Sequence, residues 1–186
     1  MTSKVNVNGI ISGHIETLRD ATTKRFLIQD FVTFYLVPAI LAITFIFFGV
    51  NISKEVASLL VNFGAIFTAL LLSVLVLVYD QSSKLKSVQS QSESEPIQSV
   101  KPILLEQLYY NICYSIVLSI ILIVVSLMHS IMFEVSSTLL VPFTEINITL
   151  EYGKFIFTPV LVFLTVNIVL TIIMVVKRMN ALLTAK

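Results

Sequence analysis

Four uncharged apolar stretches dominate this chain and leave it few folds to choose from. They cover residues 31–50, 56–79, 108–133 and 155–176, and none contains Asp, Glu, Lys or Arg. Each holds 20 residues or more, enough for a helix to cross a hydrocarbon core roughly 30 Å thick. Backbone groups in lipid have to hydrogen-bond within their own segment, so each stretch reads as a transmembrane helix. A water-soluble fold would need polar residues to cover four such helices. With 56% hydrophobic and 12% charged residues in 186, against a usual charged fraction of about 25%, the chain does not have them.

The basic residues set the orientation. Lys4, Arg19, Lys24 and Arg25 precede the first span; Lys84, Lys86 and Lys101 lie between the second and third; Lys177, Arg178 and Lys186 follow the fourth. Only Lys54 and Lys154 fall in the other two loops. Ten of twelve cations on one side place both termini and the middle linker in the cytoplasm, in the inner membrane if the source is bacterial. Tyr79, Tyr109, Tyr110 and Tyr152 sit at span ends, where an apolar ring with a polar tip is favoured; Trp is absent. The polar opening lacks the apolar core of a cleavable signal peptide, so the first span is expected to act as an uncleaved insertion signal.

The fold expected is therefore an all-α membrane bundle of two antiparallel hairpins. Residues 1–30 form a cytoplasmic tail in which Ile11, Ile15 and Leu18 suggest a short interfacial helix. Residues 31–79 form the first hairpin, closed by a tight turn at 51–55 and containing Pro38, a candidate hinge because proline removes a helix hydrogen bond. Residues 80–107 form a Ser- and Gln-rich linker, too poor in apolar side chains to order itself. Residues 108–176 form the second hairpin, with Pro159 in the tolerant first turn of its last helix, and residues 177–186 a cytoplasmic tail. In the outer loop, 134–154, Ile146, Ile148, Leu150 and Tyr152 alternate with Asn147, Thr149 and Glu151. That period of two suggests a strand pairing with 137–141. Asn51-Ile52-Ser53 and Asn147-Ile148-Thr149 match the glycosylation acceptor pattern, which matters only in a eukaryotic secretory pathway.

Chemistry-bearing residues are few. At about 100° per residue, Asn111, Ser115, Ser119, Ser126, His129 and Ser130 share one arc of the third helix, broken by Ile112 and Leu122. This stripe is either a helix-packing face, where small hydroxyl residues let backbones approach, or the lining of a water-filled path. Asn62 and Asn167 lie within spans and want partners, within or between protomers. His14 falls in the tail, on the opposite side from His129. No His, Cys, Asp or Glu cluster has metal-ligand spacing, Cys113 is the only cysteine, and no catalytic constellation or phosphate-binding glycine loop is present. No cofactor, metal, enzymatic activity or direct nucleic-acid binding is expected. The absence of intramembrane carboxylates and cations also argues against proton-coupled transport and voltage sensing.

Leu18-Arg19-Asp20, Lys24-Arg25-Phe26 and Asp30-Phe31, together with Met174-Val175-Val176-Lys177-Arg178 and Ala181-Leu182-Leu183, resemble the ends of small bacterial four-span membrane proteins. In overall plan the chain resembles compact membrane subunits of anti-phage defence loci, such as the membrane component of the Kiwa system. The resemblance implies an oligomer that works with a cytoplasmic partner, and it carries over no residues. A membrane anchor or sensor for such a partner is the function expected. The alternatives are a homo-oligomeric channel or membrane-permeabilising effector, and a small transporter or accessory subunit.

Overall fold

The computed structural model describes residues 7–18, 28–91, 100–133, 136–140 and 147–184. Four helices are long and apolar enough to cross a membrane: Gln29–Phe47, Lys54–Lys84, Pro102–Met132 and Gly153–Leu182. The elements are α1 (Val7–Thr17), α2 (Ile28–Phe31) and α3 (Val37–Phe47) forming the first span, α4 (Lys54–Gln91), α5 (Val100–Met132), and α6 (Thr158–Thr184) in the fourth span. Strands β1 (Ser136–Leu140) and β2 (Asn147–Glu151) pair antiparallel, Ser136 opposite Glu151 and Leu140 opposite Asn147. The end of the bundle at which α5 begins and α6 finishes is the terminal end, and the opposite one the loop end.

The spans do not form two hairpins side by side. The second span packs on the third, the third on the fourth, and the fourth on the first, while α3 and α4 are not packed neighbours. The tight turn was expected to clamp the first two spans together. It is instead fastened to the other pair. Gly49 ends α3 with φ +63°, a left-handed conformation that glycine adopts without a Cβ clash. Around it Val50 N–H donates to Phe45 O at 3.1 Å and Gly49 N–H to Ile46 O at 3.0 Å, the two bonds that cap a helix C-terminus in a Schellman motif. The chain then runs over the loop end. Ile52 N–H donates to Thr158 Oγ1 of α6 at 3.2 Å, and Ile52 O accepts from His129 of α5 at 2.8 Å.

Pro38 and Pro159 sit behind the same local device. A π turn at Val32–Leu36 precedes Pro38, closed by Val37 N–H to Val32 O. A second, at Gly153–Phe157, precedes Pro159, closed by Thr158 N–H to Gly153 O. Proline has no N–H and its ring crowds the carbonyl four residues back. Widening the preceding turn to i→i+5 bonding relieves that crowding. The fourth span therefore begins at Gly153, ahead of the residue where hydropathy alone starts it.

Two apolar clusters hold the row of helices. One joins Ile52 and Ala57 to Tyr114, Leu118 and Leu122 of α5 and to Leu161, Leu164 and Ile168 of α6. The other joins Leu71 and Val78 of α4 to Leu105, Leu108, Ile112 and Ile116 of α5 and to Val175 of α6. The second cluster corrects the linker: α4 runs on to Gln91 and α5 starts at Val100, because Leu105 and Leu108 have α4 and α6 to pack against. Only 92–99 of the expected flexible segment lies outside the described residues. The expected tail after residue 176 is likewise helical to Thr184.

Candidate functional site

Helix α1 does not lie along a membrane surface on an Ile11/Ile15/Leu18 face. Ile11 is exposed, and the buried residues are Gly13, His14, Thr17 and Leu18. The helix is seated against α5, antiparallel to it. Thr17 lies at the level of Asn111, while Ile10 reaches the first apolar cluster. Eleven residues extend about 16 Å, half the hydrocarbon core. The seat is close: a Cβ on Gly13 would overlap the ring of Tyr110.

His14 is fully buried at the centre of this contact. Its ring lies face to face on Tyr114, centroids 3.8 Å apart and 5° from parallel, with the Phe34 ring edge-on at 6.3 Å. Nδ1 is 2.8 Å from Asn111 Oδ1, and the single Thr17 hydroxyl hydrogen is shared between that oxygen at 2.8 Å and His14 O at 2.7 Å. An amide oxygen only accepts, so Nδ1 is the protonated nitrogen of the neutral ring and Nε2 carries the lone pair. Nε2 and Asn111 Nδ2 have no hydrogen-bond partner among the described residues. Arg178 of α6 closes the site, donating to Thr17 O at 2.7 Å and to Gln107 O at 3.3 Å. It thereby satisfies a carbonyl at the negative end of the α1 dipole. Burial pushes the His14 imidazole down from its ordinary 6.5 to about 4; the nearby Arg178 charge adds to the shift, and the Asn111 hydrogen bond opposes it.

Tyr114 links this site to the first span. Its hydroxyl donates to Asn167 Oδ1 at 3.3 Å, and Asn167 Nδ2 donates to Phe34 O at 2.7 Å. Phe34 is four residues before Pro38, so this is the carbonyl that proline cannot bond in an α-helix. An amide from α6 bonds to it instead.

A second polar cluster occupies the loop end. His129 Nε2 donates to Ile52 O, and Nδ1 and Ser126 Oγ have no partner among the described residues. Phe133 and Phe157 flank the ring at 5.5 and 5.9 Å. Thr158 Oγ1 donates to Asn51 Oδ1 at 3.3 Å.

The stripe expected on the third helix faces the interior of the chain. Asn111, Ser115, Ser119, Ser126 and His129 are fully buried and Ser130 is half-buried. Ser115 donates to Asn111 O, Ser119 to Ser115 O and Ser130 to Ser126 O, so these hydroxyls are spent on their own helix. Buried Leu122 separates the two halves. A stripe turned inward within one chain is not available to a central axis between copies. Asn167 is buried and Asn62 is exposed on the outer face of α4. Among the described residues no three metal-ligating side chains converge.

The sequence reading missed Thr17, Tyr114, Thr158 and Arg178, and it treated His14 as tail. One signal was present. Ile10, Gly13, His14 and Thr17 follow the i, i+3, i+4, i+7 spacing with small and polar residues, the composition of a membrane packing face.

No protein-family model, curated protein or solved structure matches the chain.

Proposed function

We propose that this protein is an oligomeric membrane anchor and sensor that receives a cytoplasmic protein at its terminal end. The observation that carries this reading is the length of α4. Its 38 residues make a helix of about 57 Å, nearly twice the hydrocarbon core, and α5 starts two residues before its own span. The extension is polar and exposed through Lys84 and carries an Asp80–Lys84 ion pair at 2.7 Å, the spacing that steadies an exposed helix. A helix continuous with a span gives a partner a rigid platform. The orientation follows the cation bias, and a role in bacterial anti-phage defence rests on the architectural resemblance described above.

The homo-oligomer is proposed through the outer face of α4. Ser58, Asn62, Ala65, Ala69 and Ser73 recur at helical spacing on that face and are all exposed. An amide facing hydrocarbon gains by meeting the same amide of a second copy across a two-fold axis, where small neighbours let the helices approach.

The test is purification from the native host in gentle detergent, with the mass of the intact complex measured. A complex containing a soluble protein, lost when residues 85–99 are replaced by a Gly/Ser linker, is the expected result. A homo-oligomer alone would overturn the anchor reading and make bilayer conductance the next measurement. Asn62→Leu should lower the copy number; an unchanged copy number would remove α4 from the interface.

A further inference from the structure

We propose that α1 is a proton-released segment: it stays seated in the bundle while His14 is neutral, and it leaves when the ring takes up a proton at Nε2. This goes beyond the anchor reading and does not depend on it.

The geometry makes the neutral ring the one that fits. His14 is fully buried, and its protonated nitrogen is committed to Asn111 Oδ1. A proton arriving at Nε2 creates a second N–H donor with no acceptor among the described residues. It also creates a buried charge, which is costly unless it is paired. Among the described residues, the groups facing the ring offer no counter-charge. From α5 they are Tyr110, Asn111 and Tyr114; from the first span Phe34, with Tyr35 reaching Tyr114; from α6 the cation Arg178. On α1 itself Glu16 is on the exposed side. Asp30 acts on Arg178 and forms no hydrogen bond to the ring among the described residues.

Release costs the rest of the fold little. Removing α1 leaves the packing of α4 on α5, α5 on α6 and α6 on α3 in place. The bonds that hold α1 are local: Nδ1 to Asn111, Thr17 Oγ1 to Asn111 Oδ1 and Arg178 to Thr17 O. In water the ring regains its ordinary affinity for protons, so acidification favours the released state. Between pH 8 and pH 4 the released-to-seated ratio should rise on the order of a hundredfold.

The experiment uses the full chain in lipid nanodiscs, with nitroxide labels at Gly9→Cys and Ile103→Cys on a Cys113→Ala background. Gly9 is exposed with open space around its Cα, and Ile103 is exposed on α5. The expected result is one narrow distance distribution at pH 8 and a second, longer population growing toward pH 4, while His14→Gln keeps the narrow distribution throughout. Wild-type distances unchanged from pH 8 to pH 4 would overturn the proposal, as would a His14→Gln protein that shifts as far as wild type. If His14→Gln does not seat α1 at pH 8, the nitrogen-15 titration of the wild-type imidazole decides. A step well below 6.5 that coincides with the distance change supports release, and a step at 6.5 or out of phase with it refutes it.

Discussion

The two buried histidines stand near opposite ends of the α5 polar stripe and are held in opposite ways. His129 belongs to a span, and its partner is the backbone carbonyl of a turn that is itself bonded to α6. His14 belongs to a short helix laid against the spans, and its partner is a side chain. Both rings give up one nitrogen to a hydrogen bond, and the other has no partner among the described residues. At the loop end that nitrogen is locked inside the closure of the bundle. At the terminal end it sits in a contact that the packing of α4 on α5, α5 on α6 and α6 on α3 does not use. The same residue type is thus structural at one end and responsive at the other, and the difference lies in the connectivity around it.

Four perturbations break or sharpen this contrast. The largest effect is expected from Gly13→Leu, which places a side chain where the Tyr110 ring lies. Overpacking of this kind costs up to about 3 kcal/mol, so α1 should lose its hydrogen-exchange protection while α4, α5 and α6 keep theirs. Retained protection of α1 would refute the close seat.

Acid comes next. Seating lowers the His14 pKa from 6.5 to about 4, so the seated state prefers the neutral ring. Seating should be constant above pH 6.5, weaken as pH falls through 6.5, and level off below about 4, with a total loss of about 3 kcal/mol. Calorimetry in detergent should find this dependence in wild type and lose it in His14→Gln; a slope of the opposite sign would contradict the buried neutral ring.

A smaller effect, about 1–2 kcal/mol, is expected from Asn167→Leu, which strips the Phe34 carbonyl of its amide partner. Paired with Pro38→Ala, which restores a backbone donor, the same change should cost less. Additive costs in that double-mutant cycle would show that the amide does not serve the proline.

The smallest is Thr158→Val at the loop end, about 1 kcal/mol, with α1 still seated as judged by the nitroxide distance. Release of α1 by this change would show that the two ends are coupled and end the contrast.

How much of this could be read beforehand follows from what hydropathy measures. A run free of charge reports immersion in lipid, and the four spans follow from that. It does not report which spans touch, because every face of a membrane helix is apolar and the row order is set by small contacts and by the bonds of Asn51 and Ile52. The α1 seat was hidden for a related reason. Its buried side carries Gly13, His14 and Thr17, so a search for an apolar stripe selects Ile11, which faces outward. The linker misled in the other direction: Ser and Gln suggest a coil, yet helix is continued into residues 80–91 and 100–107 from spans that are already formed. Stripe residues Asn111 and His129 were identified in the sequence, but their partners, His14 and Ile52, lie 97 and 77 residues away along the chain.

The paired π turns have a consequence for insertions and deletions. A π turn is an α-helix with one residue too many, so a wheel drawn straight through the first or fourth span goes out of phase by about 100° at residues 32–36 and 153–157. Losing one residue there returns the turn to ordinary pitch and leaves the faces on either side where they were. Losing one residue within α4 or α5 has no such slack and swings half of a span away from its neighbours. Length variation in this architecture should therefore accumulate just ahead of Pro38 and Pro159 and be rare in the middle pair of helices.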